Sequence, residues 1–181
     1  VPIVADLPEK LGRSRPGVAF VKHAGLHHLW VVGGFTGPNN TAPTHRIDIL
    51  DTASALWLPT KEAFPSAPSL LARGAPLVVP GPGVDSPVLI AGGVDGNGAT
   101  VGSPAVFRYQ SSGAAFSLHQ TLLPDPQGLL SRVGAASIRT MNAESKGSNE
   151  SPNGGSVAVV GGVRGKPASW SAAAEVALWR P

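Results

Sequence analysis

Three short apolar runs, each closed by a pair of glycines, dominate the pattern of hydrophobic and polar positions along this chain. The runs are residues 29–32, 88–91 and 157–160, and the pairs that close them are Gly33-Gly34, Gly92-Gly93 and Gly161-Gly162. Short apolar runs bounded by Gly, Pro, Asn and Ser favour strands over helices. The pairs recur at similar intervals along the chain, and recurrence of this kind predicts a repeat architecture.

Further landmarks keep the same order in each unit. A run ending in a large residue follows each glycine pair at nearly the same distance along the chain, at Leu50, Tyr109 and Trp179. A second large residue follows in the first two units, at Trp57 and Phe116. An arginine precedes each apolar run, at Arg15, Arg73 and Arg132. We therefore predict four short strands per unit, with the glycine pair at the end of the second strand.

The glycine pair has a physical reason at that place. Glycine tolerates positive φ and allows close approach of another backbone, which we expect where neighbouring sheets converge. Trp57 and Phe116 would then cover the gap between sheets. We expect both to be buried there, so truncation of either to Ala should cost about 3–5 kcal/mol.

This pattern resembles the kelch repeat, in which four strands carry a Gly-Gly pair after the second strand, followed by a Tyr-like and a Trp-like position. Unit 1 fits best through Gly33-Gly34 and Trp57, although Leu50 stands where the family prefers Tyr. The resemblance implies an all-β fold of β-propeller blades, each a four-stranded antiparallel sheet. Propellers usually have four to eight blades, so about three units predict an incomplete propeller or an open array whose edges partner chains cover.

The landmarks divide the chain into consecutive repeats. Residues 1–181 form one kelch-like segment, with the end of a preceding blade at 1–8, repeat 1 at 9–64, repeat 2 at 65–123 and an incomplete repeat 3 at 124–181. Residues 141–155 are polar and of low complexity, and we expect them to form a mobile loop between the first two strands of repeat 3.

Composition narrows the function classes. Cysteine is absent, which excludes disulfides and thiol catalysis. No apolar run approaches the ~18 residues of a membrane span. The net charge is only +3, and scattered Lys and Arg without interleaved aromatics do not predict direct nucleic-acid binding. Charged residues make up 14%, which favours a place inside a large assembly, although a propeller with many buried residues gives the same figure. The compartment stays open, with an intracellular one (cytoplasmic or organellar) favoured.

Candidate chemistry is sparse, and the sequence predicts no cofactor and no metal. His23, His27 and His28 have a spacing that binds zinc on a helix, but residues 22–28 are more typical of a turn. Asp95 opens a stretch similar to a calcium loop, yet Val106 stands where that loop requires Glu. Asn39 and Asn149 lie in glycosylation sequons, which act only in a secretory setting.

The function that follows is a noncatalytic scaffold or accessory subunit that binds other proteins within a larger complex. The alternative is a fragment of a kelch-propeller enzyme whose catalytic residues lie largely outside this chain. The three arginines could then serve a central funnel, or they could bond backbone carbonyls at blade starts. In the loop after the third pair we single out Arg164 and Trp170 as protein-binding residues, because Trp and Arg are frequent interface hot spots. The alternative for Trp170 is that it folds back over its own blade.

Overall fold

The chain forms antiparallel β-sheets, and the described residues contain no α-helix. The computed structural model describes residues 12–39, 41–58, 72–81, 85–102, 104–112, 115–125, 128–140, 156–169, 171–172 and 176–179. The strands are β1 (Gly17–His23), β2 (Leu26–Val32), β3 (Phe35–Thr36), β4 (Ala42–Pro43), β5 (Ile47–Asp51), β6 (Leu56–Trp57), β7 (Leu77–Pro80), β8 (Val88–Ala91), β9 (Ala105–Ser112), β10 (Ala115–Leu122), β11 (Ala136–Thr140), β12 (Ser156–Val160), β13 (Val163–Arg164), β14 (Ser171–Ala172) and β15 (Val176–Trp179). A short 3-10 turn, Pro167–Ser169, lies between β13 and β14.

Three larger sheets follow one another along the chain. Sheet 1 has the order β1-β2-β5-β6, sheet 2 the order β7-β8-β9-β10, and sheet 3 the order β11-β12-β15. All neighbouring strands are antiparallel, so each sheet is a meander. Two small hairpins, β3-β4 and β13-β14, follow the first and third glycine pairs. The predicted all-β class is confirmed, and none of these sheets closes into a barrel.

The sheets pack face to face in chain order. We call the face of a sheet that points toward the next sheet its trailing face, and the opposite one its leading face. The trailing face of sheet 1 meets the leading face of sheet 2 in one apolar core, made of Val21, Trp30, Val32, Ile47, Ile49, Val78, Val88, Ile90, Ala105 and Phe107. The rings of Trp30 and Phe107 meet edge to face, with centroids 6.4 Å apart.

Sheet 2 is covered on both faces. Its trailing face presents Val79, Leu89, Ala91 and Val106 to Val157 and Trp179 of sheet 3. Because successive side chains of a strand point to opposite faces, Val78 packs toward sheet 1 and Val79 toward sheet 3. This explains why β8 is buried at all four positions and reads in the sequence as an uninterrupted apolar run.

The last strands of sheets 1 and 2 differ in register. Leu50 lies opposite Trp57, whereas its counterpart in sheet 2, Phe107, lies opposite Gln120, and Phe116 lies opposite Ser111. The reason is that β9 continues well beyond Tyr109, to Ser112, while β5 ends at Asp51, directly after Leu50. Trp57 and Phe116 thus do not share a register position, and Trp57 is half-buried.

Two predicted segments, residues 1–8 and 141–155, lie outside the described residues. Within the described ranges, no helix has the length and apolar character that crossing a membrane requires.

Candidate functional site

The glycine pairs end the equivalent strands β2, β8 and β12, as the sequence pattern predicts. All six glycines have positive φ, at 58° and 100° in the first pair, 59° and 88° in the second, and 72° and 88° in the third. Residues with a Cβ rarely adopt this conformation, so the pair lets each strand end in an abrupt change of chain direction.

An arginine side chain bonds the first glycine of each pair. A guanidinium Nη1 donates to the glycine carbonyl oxygen in Arg13–Gly33 at 3.2 Å, Arg73–Gly92 at 3.1 Å and Arg132–Gly161 at 3.0 Å. The arginine of unit 1 is therefore Arg13, whereas Arg15, on which the sequence analysis settled, is exposed. Arg15 instead occupies a position that follows the bonding arginine and has positive φ, at 50°. Ala75 and Gly134 occupy the same position in the other units, with φ values of 49° and 71°.

The same arginines connect consecutive units through their backbones. The N–H of Gly34 donates to the carbonyl of Arg73 at 2.9 Å, and the N–H of Gly93 donates to the carbonyl of Arg132 at 2.9 Å. Arg73 thus accepts from the pair of unit 1 with its backbone and donates to the pair of unit 2 with its side chain. One residue links two successive strand ends.

Close packing excludes a side chain at the first glycine of the first two pairs. A Cβ on Gly33 would overlap the carbonyl oxygen of Arg73, and a Cβ on Gly92 would overlap that of Arg132. A Cβ on Gly161 would meet nothing within 4 Å. The arginine that enters from the next unit therefore imposes the steric need for glycine.

Burial shapes the electrostatics of these arginines. Arg73 and Arg132 are fully buried, and desolvation lowers the pKa of Arg73 to about 10. The Arg73 guanidinium still carries its charge at neutral pH, so its bond to Gly92 is a charge-assisted one. Desolvation also lowers the pKa of Arg13, whose guanidinium forms an ion pair with the buried carboxylate of Asp48.

Asp48 receives a second guanidinium, that of Arg46, at 2.9 Å. Asp48 lies opposite Val31 on the leading face of sheet 1. Ala105, which lies opposite Ile90, is its counterpart in sheet 2. Sheet 1 therefore differs from sheet 2 in having a satisfied charge cluster on its leading face.

The chain after each glycine pair forms a loop, and the three loops lie side by side at one end of the sheets. In each unit the residue following the pair bridges to the start of its own unit, as Phe35 to Ser14, Val94 to Gly74 and Val163 to Val133. The N–H of Thr100 donates to the carbonyl of Gly165 at 2.9 Å, and the N–H of Gly165 donates to Thr100 Oγ1 at 3.1 Å. A Cβ on Gly96 would lie 3.5 Å from Pro43. We call residues 35–39, 41–46, 94–102, 163–169 and 171–172 together the loop ridge.

The carboxylate of Asp95 has a structural part in this ridge. Its Oδ1 accepts from the backbone N–H groups of Asn97 at 2.8 Å and Ala99 at 2.9 Å. The stretch similar to a calcium loop is thus a turn whose first carboxylate is bonded to its own backbone.

The histidines lie on strands rather than in one long turn. β1 extends through His23 and β2 begins at Leu26, so the turn is only Ala24-Gly25, with φ values of 48° and 79°. Two consecutive positive φ values are typical of the tight type I′ hairpin turn, which explains why the predicted turn over residues 22–28 is too long. The described residues hold no group of three or more metal-ligating side chains.

Asp85 ties this hairpin to sheet 2. Its Oδ1 accepts from the N–H of Ala24 at 2.7 Å and lies 2.7 Å from Nδ1 of His23. The neighbouring His28 is buried in the sheet, and desolvation lowers its pKa while the charge of Asp51 partly opposes that shift. His23 and Asp85 therefore join sheets 1 and 2 at the end of the sheets that is farthest from the loop ridge.

The two residues singled out for protein binding have different outcomes. Arg164 lies half-buried in β13, opposite Ser171 in the loop ridge. Trp170 lies outside the described residues.

Trp179 is buried in β15 against sheet 2. Tyr109 and Phe116 lie in β9 and β10.

Sequence reasoning missed Arg13 and Asp48. Spacing does not single out Arg13, because Arg13 lies 20 residues before Gly33 and Arg15 lies 18, and each differs by one from the 19 between Arg73 and Gly92.

Comparison with protein-family models gives no match for this chain, and comparison with curated proteins gives none either. A functional assignment therefore has to rest on the repeated contacts at the glycine pairs and on the loop ridge, since function is carried by sites rather than by folds.

Proposed function

We propose that this chain is a noncatalytic, kelch-type scaffold whose three sheets are consecutive blades of an incomplete β-propeller, and that it binds partner proteins through the loop ridge. The observation that carries the proposal is the repeated geometry at the strand ends. Each glycine pair lies at the same end of its sheet, and the hydrogen bonds from Gly34 to Arg73 and from Gly93 to Arg132 hold successive sheets in the same relation.

The loop ridge suits protein binding because it is continuous across the three units and exposed at its surface. Gly37, Pro38, Asn39, Gly96, Asn97 and Lys166 are all exposed. Hydrogen bonds between Thr100 and Gly165 hold two of the loops together. A surface preorganised in this way loses little conformational entropy when a partner binds.

The enzyme alternative gains no support from the arginines. Arg73 and Arg132 are buried and donate to the carbonyls of Gly92 and Gly161. Side chains engaged in this way hold the strand ends together. The scaffold proposal needs no catalytic group in the described residues.

Site-specific photo-crosslinking in the native cell extract tests the proposal. A photoreactive amino acid at Asn97 probes the loop ridge, and the same group at Ala53 probes an exposed turn at the opposite end of sheet 1. We expect Asn97 to give discrete protein adducts, and Ala53 to give none of them. The Asn97 adducts should persist when an unrelated protein is added in excess as a competitor. Identical adduct patterns at the two positions would contradict binding through the loop ridge.

A further inference from the structure

The trailing face of sheet 3 is the counterpart of two faces that are covered in the same chain. Counted back from the glycine pair, Val160 corresponds to Val32 of sheet 1 and Ala91 of sheet 2. Val32 and Ala91 are buried beneath the next sheet. Val160 is 36% exposed, and Val176, which lies opposite it, is 52% exposed. Sheet 3 thus presents to solvent the apolar face that sheets 1 and 2 use for packing.

The glycine pair of unit 3 repeats this difference in its backbone. Gly161 and Gly162 have the same positive-φ conformation as the earlier pairs, and Arg132 bonds Gly161 as Arg73 bonds Gly92. In the first two pairs the carbonyl of an incoming arginine fills the space over the first glycine and accepts from the second. The described residues contain no further arginine placed to do this at Gly161-Gly162.

The start of unit 1 has the features that such an occupant requires. Arg13 and Arg15 stand where Arg73 and Ala75 stand in the segment that enters beneath the first pair. Arg73 and Arg132, at the starts of units 2 and 3, already lie beneath the glycine pair of the preceding unit. Among the described residues, Arg13 at the start of unit 1 does not lie beneath a glycine pair.

The leading face of sheet 1 is apolar and open along its outer strand β1, whereas Val31, Asp48 and Leu50 on β2 and β5 of the same face are buried. Val18 is the counterpart of Val78, which packs against the trailing face of sheet 1. Val18 and Phe20 are 54% and 66% exposed. The charge cluster of this face is satisfied, because Asp48 bonds both Arg13 and Arg46. An apolar surface can therefore cover the Asp48 carboxylate without leaving that carboxylate unpaired.

We infer that the trailing face of sheet 3 binds the leading face of sheet 1 of a second copy of this chain, repeating the two interfaces within the chain. The carbonyl of Arg13 in the second copy accepts from the N–H of Gly162, and Val18 and Phe20 pack against Val160 and Val176. Such a head-to-tail contact uses two different surfaces, so copies form a ring where the rotation closes and an open chain where it does not. The inference does not depend on what the loop ridge binds.

Blocked variants of the whole chain test this arrangement by sedimentation velocity and light scattering over a range of concentrations. Val160→Glu blocks the trailing face and Phe20→Glu blocks the leading face. We expect the unaltered chain to self-associate and each variant alone to stay monomeric, with at least a tenfold weaker association. Mixed at equal amounts, the two variants should form a dimer of twice the chain mass and nothing larger, because each supplies the surface that the other has lost.

Matched controls keep the test decisive. Leu56→Glu alters a side chain that is 65% exposed, close to the 66% of Phe20. Leu56 lies in the edge strand β6 opposite Asp51, on the trailing side of sheet 1 and outside both proposed surfaces, so this variant should associate like the unaltered chain. Val18→Glu and Val176→Glu repeat the mixing experiment if either first variant loses its circular dichroism spectrum. An unaltered chain that stays monomeric throughout, a mixture without dimer, or Phe20→Glu associating while Val160→Glu does not, would each overturn the inference.

Discussion

Gly92 and Gly161 have nearly the same local structure but different surroundings. Each ends the second strand of its sheet, has positive φ (59° and 72°) and accepts a guanidinium bond through its carbonyl. Gly92 is closed over by the backbone of Arg132, whereas the space around Gly161 is open. The comparison separates two reasons for glycine. The strand end requires the positive φ, and the contact with the next unit leaves no space for a Cβ.

The largest expected effect comes from adding one methyl group at each of these glycines. Gly161→Ala should lower the free energy of unfolding by about 1–2 kcal/mol, the cost of an alanine with left-handed backbone. Gly92→Ala carries the same cost and adds about 1–3 kcal/mol of steric strain against the carbonyl of Arg132. Urea unfolding followed by tryptophan fluorescence measures both. Equal losses for the two variants would show that the next unit does not impose the steric requirement.

A smaller effect is expected from the arginines that connect the pairs. Arg73→Met keeps much of the apolar stem but leaves the buried carbonyl of Gly92 without its charged donor, so it should cost about 2–3 kcal/mol. Arg15→Met is the matched control, because Arg15 is exposed and its loss should change the free energy of unfolding by about 0.5 kcal/mol or less. The same denaturant titration compares them. A loss at Arg15 as large as that at Arg73 would contradict the assignment of Arg13 as the arginine of unit 1.

Much of the fold could be predicted from the sequence because its signals are local. The glycine pairs and the short apolar runs before them mark β2, β8 and β12, since strand ends and positive φ depend on a few neighbouring residues. The register of the last strand could not be predicted, because it depends on how far a hairpin continues. Phe116 therefore lies opposite Ser111 and does not share the register position of Trp57, although the two residues are equally far from their glycine pairs along the chain.

The contacts between units were harder to predict from sequence. The arginines stood out by their recurrence, and bonding to backbone carbonyls was one of two roles left open. The choice between Arg13 and Arg15 depends on which residue turns inward at the positive-φ position. Spacing does not settle this choice, because the separations of Arg13 and Arg15 from Gly33 both differ by one residue from that between Arg73 and Gly92. The pairing of Asp48 with Arg13 and Arg46 is likewise a tertiary feature without a local signal.

The smallest expected effect compares two neighbouring histidines on opposite sides of β2. His28 is buried on the side that sheet 2 covers, and His27 is exposed on the other side. Desolvation lowers the pKa of His28 below its ordinary value of 6.5, with Asp51 opposing part of the shift. The unfolded chain then binds a proton at His28 more readily than the folded chain does. The contribution of neutral His28 to stability is therefore complete above about pH 6.5 and is lost as the pH falls through the lowered pKa.

Urea titrations between pH 7.5 and pH 5 should show the free energy of unfolding falling less steeply in His28→Gln than in the unaltered chain, while His27→Gln follows the unaltered chain. A steeper fall in His28→Gln would mean that the charged form of His28 is the one that the fold favours, and that the covered side of β2 does not desolvate this ring.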